Sequence, residues 1–195
     1  MHVSDDLRFS HVGINVHDIA TMERFYVDLL GFTVTDRGQL TRSGKTMDLV
    51  FLSRDPHEHH QIALVSGRPW PLGYNVVNQL SMRVGSLAAL KQFHRRFVEQ
   101  EVREIHPVAH INAVSMYAHD PEGNRVELFW DTPWHIPQPI AIPIDLGDSE
   151  ERLMAWMEAH ARATEGFMPK AEWTRQLAER MDAANRARAA GSRDG

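Results

Sequence analysis

The stretch HINAVSMYAHDPEGNRVELFW, residues 110–130, places a histidine, a tyrosine and a glutamate along two short apolar runs. Ala113–Tyr117 and Arg125–Trp130 are patterned as strands, and the intervening Asp120-Pro121-Glu122-Gly123 supplies the proline and glycine of a turn. Glu127 lies inside the second run, where an unpaired carboxylate is costly to remove from water. The stretch therefore predicts a β-hairpin whose glutamate needs an explanation from the rest of the fold.

This hairpin ends a pattern that occurs twice in the chain. In each half, a strand is followed by apolar residues at helical spacing and then by three further strand-like pieces. The predicted strands are His11–Val16, Phe32–Asp36, Leu49–Ser53 and Gln61–Val65 in the first half, and Gln79–Val84, Val102–His106, Ala113–Tyr117 and Arg125–Trp130 in the second. The pattern predicts an α+β fold of two β-α-β-β-β modules, about 7–67 and 76–131, which pack together around a shared metal-containing cleft.

Four polar positions fall on the strands expected to line this cleft. His11 and Gln79 occupy equivalent positions in the two halves, His60 stands just before a strand, and Glu127 lies in the last strand. A lone strand histidine is more often a hydrogen-bonded structural residue than a ligand, but equivalent placement in a repeat favours a site. Imidazole, carboxylate and amide oxygen together suit a divalent first-row metal. We therefore predict His11, Gln79 and Glu127 as metal ligands.

The chain from Phe9 to Trp130 resembles the vicinal oxygen chelate superfamily, which includes glyoxalase I, antibiotic-resistance proteins and type I extradiol dioxygenases. The opening HVGINVHDIATMERFYVDLLGF is similar to the family's first strand, helix and second strand. The run from Val108 through His110, Tyr117 and the Asp-Pro-Glu-Gly turn to Glu127 resembles the ring-cleavage dioxygenase signature. The resemblance is closest to the single-domain type I enzymes.

This resemblance implies a mechanism and a cofactor. Iron(II) would chelate both oxygens of a catechol-type aromatic and bind O₂ beside it, with Mn(II) or another divalent metal as the alternative. His60, in the pair His59-His60, would be the acid/base residue, and its place beside the cleft allows its pKa to be tuned near neutrality. Tyr117 would hydrogen-bond a substrate oxygen, and His110 is the remaining catalytic residue of the signature.

Gln79 departs from the dioxygenase pattern, which has a histidine as second ligand at this place. An amide oxygen is a weaker and harder donor than imidazole, so the site favours iron(II) less and manganese or magnesium more. This leaves two alternatives: a metal-dependent glyoxalase-like lyase or isomerase, and a resistance-type protein that binds a small molecule without turnover.

Residues 132–195 are predicted to form a proline-rich extended arm and a helical tail outside the domain at 7–131. The arm carries Pro133, Pro137, Pro139 and Pro143 among large apolar residues, and helices are expected from about Ser149 and Lys170. An exposed arm of this kind would leave a large apolar patch. We therefore expect a homodimer or larger homo-oligomer, with an arm folded back on its own chain as the alternative.

Composition excludes several functional classes. A count of 21 basic against 26 acidic residues, without a basic stripe, argues against nucleic acid as a partner. No apolar run approaches the roughly 18 residues that span a bilayer, and the acidic N-terminus does not resemble a signal peptide, so a cytoplasmic protein without membrane contact is expected. Because there are no cysteines, nitrogen and oxygen must supply any metal ligands.

Overall fold

The computed structural model describes residues 7–71 and 73–191 of the chain. The acidic N-terminal residues 2–6, which entered the argument against a signal peptide, lie outside these ranges, as do residues 192–195 of the C-terminal stretch GSRDG, for which the sequence predicts a frayed end. Among the described residues, no helix is long and apolar enough to cross a membrane.

The first module contains one helix and a four-stranded sheet. Its elements are β1 (Val12–Val16), α1 (Ile19–Arg24), β2 (Thr33–Arg42), β3 (Lys45–Ser53) and β4 (Ile62–Ser66). The Asp18 side chain caps α1 by accepting from the Thr21 backbone N–H, and a π-helical turn over Phe25–Leu29 continues the helix. The sheet order is β1-β4-β3-β2, with β1 parallel to β4.

The second module repeats this plan. Its elements are β5 (Leu80–Arg83), α2 (Leu87–Glu99), β6 (His106–Ala109), β7 (Ala113–His119) and β8 (Arg125–Asp131), with β5 parallel to β8. The predicted strand Val102–His106 is wrong, because the strand begins at His106. Glu101 and Glu104 adopt positive φ angles of 52° and 57°, which a strand does not allow, so they form turns.

Strand alternation gives each sheet one apolar face and one more polar face. In β8, Val126 and Leu128 are buried in the core beneath α2, whereas Arg125 and Glu127 point to the opposite side. In β1, Val16 is buried, and Gly13 and Asn15 are exposed on the opposite side. We call the sheet face away from α1 and α2 the open face. Every candidate site residue lies on this face or at its rim.

The Asp-Pro-Glu-Gly turn of the second module forms hydrogen bonds with the first module. Glu122 Oε1 accepts hydrogen bonds of 2.7 Å from the backbone N–H groups of His17 and Asp18, at the start of α1. Its other oxygen lies 3.4 Å from the Arg68 guanidinium, so the buried carboxylate has a cationic partner. Asp120 accepts from the backbone of Glu122 and from the backbone and side chain of Asn124. This network fixes the turn against the first module.

The segment after β8 belongs to the same hydrophobic core. It contains β9 (Trp134–His135), β10 (Ile142–Pro143), α3 (Glu150–Ala163), β11 (Met168–Pro169) and α4 (Lys170–Gly191). Strand β10 extends the second sheet beside β6, giving the order β10-β6-β7-β8-β5. The arm packs on its own chain through fully buried apolar side chains, among them Ile136, Leu146 and Met157. The core therefore continues past residue 131, although the division into domains stays a prediction.

Helix α4 differs from the rest of this segment. Its N-terminal turns contact β9 and β11, and Trp173 stacks on His135 with ring centroids 4.7 Å apart. From Ala178 to Arg188 every side chain is exposed. The distal half of α4 thus makes little contribution to the core.

Candidate functional site

Glu127 is stabilised on the open face by two neutral donors, one from β5 and one from the residue just before it. Its side chain is only 6% exposed, and Oε2 accepts from Gln79 Nε2 at 2.7 Å and from the Ser81 hydroxyl. The parallel pairing of β5 with β8 puts Ser81 directly beside Glu127, and Gln79 lies two residues earlier on the same face. These contacts explain how a carboxylate is accommodated in an apolar strand.

Tyr117 lies opposite Glu127 in the antiparallel β7–β8 ladder. Burial, and then the hydrogen bond and negative charge of Glu127, raise the pKa of Tyr117 to about 12. The guanidinium carbon of Arg125 lies 4.0 Å from the ring centroid and covers one face of the ring. Tyr117 therefore keeps its proton at neutral pH and has a hydroxyl hydrogen to donate.

His110 is oriented by the arm. Its Nδ1 contacts the Ile140 carbonyl oxygen, which only accepts, so this nitrogen carries the hydrogen. In the neutral ring, Nε2 is then an acceptor, and it lies 2.9 Å from the Tyr117 hydroxyl. Gln138 adds a hydrogen bond to the His110 carbonyl. The backbone of the arm thus selects the tautomer of a predicted catalytic residue.

His11 and His60 form a second group, in the first module. Their ring centroids are 4.2 Å apart, and Phe51 lies 5.0 Å from His60. His59 Nδ1 is 2.9 Å from His60 Nδ1. Burial, followed by the nearby His11 and His59, lowers the pKa of His60. His60 is therefore uncharged at neutral pH and available as a proton acceptor.

The structure thus divides the six predicted residues into two groups. Gln79, Glu127, Tyr117 and His110 are connected across the second module, and His11 contacts His60 in the first. Within residues 7–71 and 73–191, no hydrogen bond or ring contact joins the two groups. The predicted ligand set of His11, Gln79 and Glu127 stays a prediction.

The chemistry around Glu127 fits a divalent cation. No ion pair of the described residues involves this buried carboxylate, so its charge is balanced only by neutral donors. A cation bound there would require Gln79 to turn its amide over and present oxygen instead of nitrogen. In the described part of the chain, no group of three or more His, Cys, Asp or Glu side chains is placed to hold a metal. The predicted set relies on an amide and is not a group of that kind.

Ser81 and Arg125 are site residues that our sequence reasoning missed. Each lies two positions from a predicted ligand on the same strand, so alternation alone places it on the same face. This alternation can be read directly from the sequence. For the orienting carbonyl of Ile140, which lies 30 residues from His110, the sequence offers no comparable signal.

Comparison with known proteins agrees with this architecture. Residues 8–128 match the family described as the Glyoxalase/Bleomycin resistance protein/Dioxygenase superfamily. Among relatives, the uncharacterized protein YwbC of Bacillus subtilis (strain 168) is 25% identical over 127 residues, covering 63% of this chain and 96% of YwbC.

Solved structures of similar fold include a glyoxylase/bleomycin resistance protein/dioxygenase domain from Frankia sp. EAN1pec, with a TM-score of 0.51 and 19% identity over 63% of this chain and 96% of that one. A mutant of the fosfomycin resistance protein FosX from Listeria monocytogenes, complexed with Mn(II) and 1S,2S-dihydroxypropylphosphonic acid, gives a TM-score of 0.50 and 17% identity over 65% and 92% of the two chains. These likenesses show a shared fold. Because the family match spans both modules, the chain belongs to the glyoxalase/bleomycin resistance/dioxygenase superfamily, also called the vicinal oxygen chelate superfamily.

Proposed function

We propose that this protein is a metal-dependent extradiol ring-cleavage dioxygenase acting with O₂ on a catechol-type aromatic. The observation that carries the proposal is the connected set of His110, Tyr117 and Glu127 on one sheet face. A tyrosine held protonated between an imidazole and a carboxylate suits a substrate that presents hydroxyl oxygens. A site that bound only apolar molecules would not need this tyrosine hydroxyl.

In this proposal, Glu127, Gln79 and His11 hold the metal. Iron(II) is the ion we favour, with Mn(II) or another divalent metal as the alternative, and when bound it supplies oxygen activation and chelation of the two substrate oxygens. The buried position of Glu127 keeps its charge unscreened, which strengthens its attraction for a cation.

The remaining residues orient the substrate and move protons. Tyr117 donates a hydrogen bond to a substrate oxygen, because its raised pKa keeps it protonated. His110 presents an unprotonated Nε2 beside that hydroxyl, since the Ile140 carbonyl fixes the hydrogen on Nδ1. His60 has a lowered pKa and accepts a proton from the reacting group.

The decisive experiment is an oxygen-consumption assay on protein purified without oxygen and loaded separately with iron(II) and Mn(II). We expect one catechol in a panel to consume O₂ and form the yellow ring-opened product. The matched control is Tyr117→Phe, which removes one oxygen atom and is expected to bind metal normally but turn over slowly. If neither metal form consumes O₂ with any catechol, the proposal is wrong.

A second candidate function is a metal-dependent lyase or isomerase reaction. Gln79 favours it, because an amide ligand holds iron(II) less tightly than imidazole and suits a harder, redox-inactive ion. The same assay separates the two, since a lyase or isomerase forms product without consuming O₂. A resistance-type binding protein would retain its ligand with no product at all.

A further inference from the structure

Beside the Glu127 site lies a cavity of about 510 Å³ with an unusual charge balance. It is bounded by β1, by the starts of β5 and β8, and by the segment that links the two modules. Among the described residues, its walls contain two arginines, Arg68 and Arg125, and three asparagines, but no acidic side chain. Apolar residues such as Val77 and Leu80 complete the lining. A ligand that matches these walls has an apolar body and a negative charge.

Arg68, which lines this cavity, has unused hydrogen-bonding capacity on a buried atom. Its side chain is 7% exposed, and Nη1 donates to Asn124 Oδ1 at 3.0 Å and lies 3.4 Å from Glu122. Its other terminal nitrogen, Nη2, is buried and has no hydrogen-bond partner. Buried donors are almost always paired, so an unpaired guanidinium nitrogen indicates a missing acceptor.

Arg125 supplies the uncompensated charge. It is half-buried, its guanidinium lies over the Tyr117 ring, and the residue also lines the cavity. No ion pair among the described residues includes it, whereas Arg68 is balanced by Glu122 and Arg83 by Asp131. Arginine is well suited to carboxylates, because its planar donors match the two oxygens. Arg125 also connects the cavity to the predicted catalytic side chains.

We propose that this cavity binds a carboxylate group on an apolar or aromatic ligand, with Arg125 as the charge partner. Arg68 Nη2, which is buried in this structure, becomes a second donor when its guanidinium turns towards the ligand. The binding of a carboxylate in this cavity does not depend on the proposed function. The further statement that the carboxylate is a substituent of the catechol-type substrate does rest on it. The substrate class is then an aromatic acid, whose ring reaches Tyr117 while its carboxylate remains beside Arg125.

The test uses benzoate and benzamide as probes of equal shape but different charge. Binding is measured by NMR titration of metal-free, full-length protein, following the side-chain amide signals of Asn75 and Asn124. We expect benzoate to bind about tenfold more tightly than benzamide, which corresponds to about 1.4 kcal/mol. Arg125→Gln should weaken benzoate binding about tenfold and leave benzamide binding unchanged, and Arg68→Lys should weaken benzoate binding by a smaller factor.

Arg83→Gln is the matched control, because Arg83 lies on the same sheet face but pairs with Asp131 and does not line the cavity. Its benzoate affinity should equal that of the unsubstituted protein. Equal affinity for the two probes would overturn the inference, as would an equal loss in the Arg83 and Arg125 variants. Circular dichroism of each variant checks that the fold is retained.

The probes need neither metal nor oxygen, so failure here is separate from failure of the ring-cleavage proposal. A protein that cleaves catechols but binds benzoate no better than benzamide overturns the carboxylate site and keeps the dioxygenase. Arg125-dependent benzoate binding without any ring cleavage supports the carboxylate site and overturns the dioxygenase.

Discussion

The two modules both place an Asp-Pro turn before their last strand, yet the two aspartates have opposite environments. Asp55 has a side chain 46% exposed, and hydrogen bonds from His57 lower its pKa. Asp120 is completely buried, and that burial raises its pKa despite hydrogen bonds from Asn124 and Glu122. The repeated sequence determines the turn, whereas the neighbouring module determines the environment. The second turn is fixed to the other module by hydrogen bonds between Glu122 and the start of α1.

The same contrast extends to the open faces of the two sheets. In the second module, Glu127 and Tyr117 are buried and connected by hydrogen bonds. In the first, His11 and His59 are exposed and contact His60 mainly through their rings. This difference predicts that the groups of the second module are held more rigidly than the histidines of the first.

The sharpest test of this contrast is Glu127→Ala. Loss of a residue that only hydrogen-bonds a metal ligand weakens metal binding by up to roughly 100-fold. We expect a larger loss of divalent metal affinity here, because the carboxylate is the only charged ligand of the predicted set. Ring cleavage should fall to background. Isothermal titration with Mn(II) under anaerobic conditions measures the affinity, with Ser81→Ala as a control that keeps the carboxylate. Unchanged affinity in Glu127→Ala would place the metal elsewhere.

His60→Ala tests the role assigned to the first module. We expect turnover to fall roughly 100- to 10,000-fold while metal stays bound, because the variant loses only a proton acceptor. Since the pKa of His60 is lowered, the acidic limb of the kcat/KM profile should lie below pH 6.5. Stopped-flow rates across pH, with metal analysis of the same sample, measure both. Loss of metal in this variant would reassign His60 as a ligand.

Paired aspartate substitutions compare the two turns directly. Asp120→Ala removes a buried acceptor of four hydrogen bonds and should lower the free energy of unfolding by about 2–4 kcal/mol. Asp55→Ala, at the equivalent exposed turn, should change it far less, because solvent replaces the lost contacts. Urea unfolding midpoints with unchanged m-values measure both. Equal effects would show that the turn itself, and not its environment, determines how much each aspartate contributes to the free energy of unfolding.

The same pair should differ in the sign of its pH dependence. With a raised folded-state pKa, Asp120 makes the folded protein less stable as pH rises from 3.8 through that raised value. With a lowered pKa, Asp55 stabilises the fold above 3.8 and loses this effect as pH falls through its folded-state value. Unfolding free energies of the two Asn variants and the unsubstituted protein, from about pH 3 to pH 7, give the two slopes. Slopes of the same sign would contradict the contrast.

The smallest expected effect concerns assembly. We propose that the protein forms a homodimer or larger homo-oligomer, supported by exposed apolar side chains that include Phe9, Trp70 and Tyr74. Truncation after Asp131 would not test this, because it removes core residues such as Ile136 and Met157. Truncation after Ala178 removes residues 179–195, of which 179–188 are exposed positions of α4, and should shift stability by less than about 0.5 kcal/mol.

Light scattering compares the assembly of this shortened chain with that of the full chain. An oligomer that becomes monomeric would show that α4 holds the subunits together, and an unchanged oligomer would assign the interface to the two modules. A full-length chain that is monomeric at all concentrations would contradict the proposal.

Local patterns predicted much of the fold. Period-two and helical spacing identified the repeat, the helices and the β7–β8 hairpin, because each reflects a face that one element buries. They placed the end of β2 too early, since its exposed second half, up to Arg42, lacks apolar alternation. They also missed that Glu101 and Glu104 turn the chain before β6, because neither residue type signals a positive φ.

The candidate site was predictable where a strand pattern, the repeat or the family resemblance marked a residue. Glu127 stood out as a carboxylate in an apolar run, and the repeat related Gln79 to His11. The contacts that complete the site cross long stretches of chain, such as His110 with Ile140 and Arg68 with Glu122. No local pattern encodes them, since they depend on how separate elements pack.

The contact between His110 and the Ile140 carbonyl has a consequence for the order in which a new chain matures. On the ribosome, both modules are synthesised before residue 140 emerges, so a nascent chain with all eight module strands still has no acceptor to fix the His110 ring. The tautomer that leaves Nε2 free towards Tyr117 is selected only when the arm docks. The arrangement around His110 is therefore complete only after residue 140 has been synthesised and the arm has docked, and a chain without the arm lacks the acceptor that orients this histidine.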